Sequence, residues 1–430
     1  MIGAGYVGLV SGACFAEFGT EVRVVDNDAA KVAALCEGRI PIYEPGLDRL
    51  VEDNVRDGRL SFTTDLAAAV RGADAVFLAV GTPTRRGDGH ADLSYVYAAA
   101  EQVARAADGR LVLVTKSTVP VGTGREVQRI VRAARPELDI AVASNPEFLR
   151  EGSAIGDFMR PDRVVIGIED EHAEHVLRAL YRPLNLNETP ILATGIESAE
   201  LTKYAANAFL AVKISFINQI ADLCERVGAD VHQVARGMGL DGRIGRKFLH
   251  PGPGFGGSCF PKDTLALART AADHGAPMSL VEATVRFNDA RKDAMAERVI
   301  AALGGSAAGR TVAVLGLTFK PETDDMRDAP SLSLVPRLVE AGARVRAYDP
   351  QGQNARALLP GSVEYAPDAV SAAADADAVV LLTEWNEFRA IPPERLRAQM
   401  RGNVAVDLRN AWDPAAMRAA GFRYQSVGRP

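Results

Sequence analysis

The 430-residue sequence has few of the groups that carry metal or disulfide chemistry. Its four cysteines, Cys14, Cys36, Cys224 and Cys259, form no CxxC pair and no disulfide framework, which excludes a zinc ribbon or a stapled secreted scaffold and points to a reducing compartment. Six histidines make no HExxH. His172 and His175 lie three apart in an acidic helical run that reads as a solvated face, so no metal is expected. No apolar run approaches the roughly 18 residues of a membrane helix and there is no signal peptide, so a cytoplasmic location without a membrane partner is expected. Positive charge is not in excess: the net charge is −6, which argues against the basic stripe of a nucleic-acid binder.

What is present is an ordinary globular composition, 47% apolar and 24% charged, long enough to bury cores for two or three domains. Gly3, Gly5 and Gly8 form GxGxxG at the head of a helical pattern that stops at Gly19. Residues 22–25 then read as a strand ending in Asp26, and an acid about 20 residues past the glycines is the expected partner of an adenosine ribose hydroxyl. A carboxylate there favours NAD over NADP. Only Met1 and Ile2 precede Gly3, so either the start is assigned too late or the central strand is shortened; the second would weaken the sheet where the cofactor sits, so a missing N-terminal piece is expected.

Further apolar runs, 75–80, 111–114 and 141–143, read as buried parallel strands. Each leads into a loop at a strand's carboxyl end, where open α/β sheets take ligand: 81–84 (GTPT), then Lys116, Ser117, Thr118 and Pro120, then SNPEFLREG at 144–152. A helical pattern runs through 196–227 to a stop at Gly228, placing Lys203 and Asn207 one turn apart on one face. Such a pair is usually a solvated face. After it come Arg243, Arg246 and Lys247 beside glycines, suited to a diphosphate or a sugar, and then PGPGFGGSCFPKD at 251–263.

Glycines 252, 254, 256 and 257 let that backbone lie close to a ligand, and Cys259 is its one candidate covalent nucleophile. An isolated cysteine is most often a small buried hydrophobe; Lys262 and Asp263 change the balance, because a nearby cation favours the thiolate that attacks. Apolar positions continue as helices through 265–286. Four more short strands, 311–315, 345–347, 378–382 and 404–406, form a second βαβ array that echoes the first: VRVVD at 22–26 against VRAYD at 345–349, and ADAVFLAV at 73–80 against ADAVVLLT at 376–383. It lacks GxGxxG and could be structural, but Lys320 and Arg327 after its first strand suit phosphate. The fold expected is α/β, two Rossmann-like doubly wound parallel-sheet domains joined by a long central helix, with residues 1–195, 196–295 and 296–430 as dinucleotide, central and second nucleotide domains.

The string GFGGSCFPKD at 254–263 resembles the catalytic segment of the UDP-glucose 6-dehydrogenases, within the UDP-glucose/GDP-mannose dehydrogenase family. SNPEFLREG, ESAELTKYAANAFLAVKISFIN at 197–218 and GLTFKPETDDMRDAPS at 316–331 are similar to segments of the same family. The resemblance implies an NAD-dependent four-electron oxidation of UDP-glucose, with Cys259 holding the covalent intermediate, Lys203 and Asn207 at the oxyanion, Asp263 ordering a water, and Glu147 with Thr118 handling the hydrolytic water. It implies cofactor contacts from Gly3, Gly5, Tyr6, Val7, Gly8, Asp26, Lys31, Thr82, Thr118, Glu151 and Arg327. Substrate contacts are implied for Glu147, Phe148, Leu149, Lys203, Asn207, Phe248, Leu249, Gly256, Phe260, Lys320 and Arg409, and for Arg243 reaching across a homodimer interface. Leu408 stands where relatives often have Gly, which weakens the Arg409 contact. The alternative reading is a GDP-mannose or UDP-N-acetylhexosamine dehydrogenase; Phe260-Pro261 after the cysteine looks more like the UDP-glucose enzymes. A non-catalytic NAD-binding scaffold would leave Cys259, Lys203 and Asp263 without purpose.

Overall fold

The computed structural model describes residues 1–83, 85 and 90–430, so Thr84 of the expected 81–84 loop lies outside the described residues. The chain forms two compact units, Met1–Ala206 with Arg269–Gly275, and Asn207–Ala268 with Ala276–Pro430.

In the first unit β1 (Val22–Val25) pairs in parallel with β2 (Leu60–Thr63), while β3 (Ala75–Leu78), β4 (Leu111–Thr115), β5 (Ile140–Ser144), β6 (Val164–Gly167) and β7 (Ile191–Thr194) form a sheet in that order. Ile2 joins the two groups by parallel bridges to Val25 and Leu78. Its N–H donates to Phe77 O and its carbonyl accepts from Ala79 N, both at 2.8 Å. Ile2 stands where the central strand belongs, and the order β2, β1, Ile2, β3, β4 keeps the reversal at which doubly wound sheets bind dinucleotides. A cavity of about 210 Å³ lined by Met1, Ile2, Phe15, Val22, Val76 and Phe77 opens at the amino ends of β1 and β3, away from the ligand end.

One pairing departs from the expected parallel sheet. β6 meets β5 antiparallel, at Ser144 and Gly167. The link between them is spent largely on the loop carrying Glu147 and Glu151, and its one helix, Ala154–Met159, spans only about 9 Å at about 1.5 Å per residue, too little for a full crossover.

The second unit holds β8 (Thr311–Leu315), β9 (Arg344–Tyr348), β10 (Glu364–Tyr365), β11 (Ala378–Leu381), β12 (Val404–Asp407) and β13 (Arg423–Ser426), parallel throughout in the order β10-β9-β8-β11-β12-β13. β11 and β12 are buried at every position, as strands covered on both faces must be. The central helix, Ile196–Val227, has the expected bounds. Its first turns pack so closely on the first unit that a Cβ at Gly124 or Gly167 would fall 2.4 Å from Ile196 Cγ2 or 2.7 Å from Ala199 Cβ. Further along, Ile217, Ala221 and Cys224 join the core of the second unit. The helices after the cysteine begin earlier and end later than expected, at Phe260–Asp273 and Ser279–Ala302.

Candidate active site

The glycine motif is shaped to hold a diphosphate. Gly3 has φ +103°, a Cβ at Gly8 would lie 1.9 Å from Gly3 O, and around Gly5 there is open space on the ligand side of the turn. Gly5 caps the helix Tyr6–Glu17 with no side chain, leaving that helix's first amides for a ligand. Asp26, just past β1, accepts from Ala4 N at 2.8 Å and Asp28 N at 3.0 Å, and pairs with Lys31 Nζ at 3.1 Å. Burial pushes its carboxyl up, but those donors prevail and hold it below the ordinary range. The residues present thus fit a dinucleotide, with Asp26 left ionised to accept from a ribose hydroxyl. Tyr6 OH does not point to solvent: it donates to Glu44 and accepts from Gly152 N at 2.9 Å. Val7 lies in the same first turn. Thr82 Oγ1 donates to Thr118 O at 3.0 Å, tying the loops after β3 and β4 together.

The loop after β5 brings Glu147 to the central helix. Lys203 Nζ donates to Glu147 Oε1 at 3.0 Å, both side chains being almost fully buried. Glu147 Oε2 accepts from Leu149 N, so the carboxylate also bends its own loop. Burial raises the Glu147 pKa, yet Lys203, the Leu149 amide and Lys116 more than offset this and leave it below the ordinary range. Phe148 has two cations near its ring, the Arg163 guanidinium 3.4 Å and Lys203 Nζ 5.4 Å from its centre. Glu151 sits half-buried at the end of the same loop.

In the second unit Cys259 immediately precedes the helix Phe260–Asp273, with Asp263 N donating to Cys259 O at 2.8 Å. The sulfur therefore sits at a helix N-terminus, where unsatisfied amides favour negative charge. That position adds to the expected influence of Lys262, whose ammonium lies 3.5 Å from Asp263 Oδ1. Asp263 is buried and its Oδ2 accepts from Asn207 Nδ2 at 2.6 Å, so it fixes the way Asn207 points. Phe260 stacks edge-on against Phe248 and Phe255, giving an aromatic wall beside the cysteine, with Leu249 buried behind.

The glycines of this loop answer to close approaches. A Cβ at Gly256 would fall 2.3 Å from Asp328 O, and one at Gly257, where φ is +83°, 2.7 Å from the Phe319 ring. Gly257 N donates to Arg327 O at 2.8 Å, so the cysteine loop rests on the loop after β8. Arg327 folds onto Asp325 with two bonds of 2.8 Å. Lys320 Nζ lies 5.5 Å from the Phe319 ring centre. Arg409 is largely buried and braces three segments, donating to Leu382 O at 2.9 Å and Phe319 O at 2.8 Å and pairing with Glu384 at 3.0 Å. Arg243 behaves differently: its side chain is 90% exposed and turns onto Asp241.

Several supporting residues escaped the sequence reading. Glu44 accepts from Ala154 N at 2.7 Å and Gly152 N at 2.6 Å, capping the helix Ala154–Met159 from a distant segment. Glu200 accepts from Gly122 N and Gly124 N at 2.8 and 2.7 Å, and burial pushes its carboxyl up to about 7. Asn218 Oδ1 accepts from Gly252 N at 2.8 Å, Asn288 takes both Phe255 N and Phe255 O, and Arg291 donates to Gly252 O at 2.6 Å. These three clamp the cysteine loop. Their only sequence signal was a polar residue on the otherwise apolar face of a long helix.

A glycine cradle closed by an acidic strand end, a buried lysine–carboxylate pair and a second nucleotide-type sheet define a dinucleotide-linked oxidoreductase. Residues 1–185 match the NAD binding domain of the UDP-glucose/GDP-mannose dehydrogenase family, residues 197–290 its central domain and residues 313–414 its UDP binding domain. The chain is 61% identical over 433 residues to a UDP-glucose 6-dehydrogenase of Rhizobium meliloti (strain 1021), covering 100% of this chain and 99% of the relative. It is 50% identical to a UDP-glucose 6-dehydrogenase of Bacillus subtilis (strain 168), covering 100% of this chain and 93% of the relative. The solved UDP-glucose dehydrogenase of Pyrobaculum islandicum superposes with a TM-score of 0.91 at 41% identity, covering 100% and 97% of the two chains. A UDP-D-ManNAc dehydrogenase from Pyrococcus horikoshii gives 0.86 at 27%, covering 100% and 98%. The chain belongs to the UDP-glucose/GDP-mannose dehydrogenase family and is an NAD-linked dehydrogenase.

Proposed function

We propose that the protein oxidises UDP-glucose to UDP-glucuronate through a thioester on Cys259. NAD+, when bound at the glycine cradle, takes up one hydride in each of two oxidations. In the first, the water ordered by Asp263 takes the proton of the sugar's terminal alcohol, assisted by the charge of Lys203, which with Asn207 holds the oxyanion; prepositioned donors of this kind supply about 3 kcal/mol. Cys259, as the thiolate, then adds to the aldehyde carbon, and the resulting thiohemiacetal oxyanion expels the one hydride left on that carbon to become a thioester. Glu147, assisted by Thr118, takes a proton from the water that attacks this thioester, and the thiolate of Cys259 leaves. UDP-glucose, two NAD+ and water give UDP-glucuronate, two NADH and three protons.

The observation that carries this reading is the placement of Cys259 at a helix N-terminus, with Asp263 one turn on and fixed to Asn207. A simple alcohol dehydrogenase has no use for an activated thiol there. UDP-glucose, rather than GDP-mannose or a UDP-N-acetylhexosamine, is favoured by the names carried by the relatives at 61% and 50% identity. The test is the yield of NADH per nucleotide sugar consumed. UDP-glucose is expected to give two; a yield of one would reduce the reaction to alcohol-to-aldehyde oxidation.

A homodimer in the cytoplasm belongs to the same reading. Phe209, Phe216, Leu223 and Val227 are exposed at heptad-like spacing on the central helix, an apolar stripe suited to a second copy of this chain. Lys213, on the same helix, donates to Ile244 O at 3.0 Å and holds the loop of Arg243 beside that stripe, which supports Arg243 reaching the partner's substrate.

A further inference from the structure

The loop after β4 begins with a buried lysine to which the reaction above gives no part. Lys116 Nζ donates to Asn145 Oδ1 at 3.0 Å and to Tyr181 OH at 3.3 Å, and lies 5.8 Å from the Phe158 ring centre. Tyr181 OH in turn donates to Asn145 Oδ1 at 2.6 Å, and Asn145 Nδ2 to Val165 O at 2.8 Å, so the amide oxygen faces the ammonium. Both acceptors of Lys116 are neutral. Buried ammonium groups ordinarily carry a carboxylate partner. The carboxylate in its field is Glu147, two residues past Asn145 and already paired with Lys203.

We propose that Lys116 is a positioning residue for Glu147: a second buried ammonium, anchored by Asn145 and Tyr181, that keeps the Glu147 carboxylate ionised while Lys203 is occupied with substrate. The inference rests on the reading of Glu147 as the group that takes the water's proton. Were Lys203 the sole counter-charge, each time it turned to the oxyanion Glu147 would be a desolvated lone carboxylate and would gain a proton instead of removing one. The titratable groups facing Lys116 from the packed segments are Glu147 in the loop after β5, Lys203 on the central helix, Tyr181 after the helix Glu171–Leu180 and Cys14 on the helix Tyr6–Glu17. Burial lowers the Lys116 pKa to about 8, with Glu147 pulling it up and Lys203 pushing it further down.

The test is the pH profile of kcat for UDP-glucuronate formation in Lys116→Met, Lys116→Arg and Asn145→Asp. In Lys116→Met the acid limb is expected to move up by about one pH unit, the usual effect of losing one nearby opposite charge, with the KM values for both ligands changed less than about twofold. Lys116→Arg restores the limb. Asn145→Asp places a compensating anion on the ammonium and moves the limb in the same direction, which keeps the test alive should Lys116→Met not fold. An even loss of rate at every pH, with the limb unmoved in both Lys116→Met and Asn145→Asp, would overturn the inference. Glu147→Gln separates the two failures: wild-type turnover in that variant removes the role of Glu147 and Lys116 together, whereas loss of turnover with unmoved limbs removes only the role of Lys116.

Discussion

The two sheets begin alike and differ in the loop after the first strand. β1 and β9 are each followed at once by an acid, Asp26 and Asp349, in the similar strings VRVVD and VRAYD. Asp26 takes Ala4 N, and a Cβ at Gly5 would meet nothing within 4 Å. Asp349 instead takes Leu317 N at 2.6 Å, Thr318 N and Thr318 Oγ1 at 3.0 Å, and the Trp385 indole at 3.2 Å. Ser331 Oγ and Thr383 Oγ1 occupy the carbonyls of Leu317 and Thr318, each at 2.5 Å. The second loop has closed on itself with its own side chains. With the Leu317 and Thr318 amides taken, the proposed function leaves a phosphate there to cations such as Lys320 and Arg409. Under that proposal one architecture would read one ligand with its backbone and another with its side chains.

The largest break in that contrast comes from adding a side chain where the first sheet uses none. Gly8→Val drives a methyl group into Gly3 O and Ala79, so NAD+ titration calorimetry should find affinity reduced more than about 100-fold and unfolding destabilised by about 3 kcal/mol. Retained affinity would show that the cradle is not the cofactor's. The contrast sharpens with a crossed pair. Asp26→Ala should raise the KM for NAD+ about 10- to 100-fold, the worth of a charge-assisted hydrogen bond, and leave the KM for UDP-glucose within about twofold. Lys320→Ala should do the reverse, and steady-state kinetics on both variants would reveal any mixing of the two roles. The smallest effect is expected from Asp349→Asn, which weakens the self-closing bonds. Urea unfolding should show a loss of about 1–2 kcal/mol with no change in NAD+ affinity.

The buried parallel strands were legible because both their faces are covered and their residues are almost uninterruptedly apolar, as in LVLVT of β4 and AVVL of β11. β2, β7 and β13 were not, since LSFT, ILAT and RYQS are short and partly exposed and carry no such run. β6, VVIG and buried throughout, was missed although it resembles the legible strands, and its antiparallel entry was hidden because direction is set by the path of the preceding loop, which alternation of residues does not encode. At the site, the strings around Glu147, Lys203 and Cys259 stood out by their chemistry. Glu44, Asn218, Asn288 and Arg291 did not, because each acts on backbone groups more than thirty residues away in sequence. A single polar residue in a helical pattern looks the same whether it faces water or clamps a loop.

The account depends most on the sulfur of Cys259, and intact-protein and peptide mass spectrometry of Glu147→Gln, quenched during turnover of UDP-glucose and NAD+, tests it directly. With removal of the water's proton impaired, the nucleotide-sugar acyl group should accumulate as a thioester on Cys259 and be lost on treatment with hydroxylamine. An acyl group on another residue, or no acyl group on Cys259 while acid formation by that variant is impaired, would contradict the covalent route.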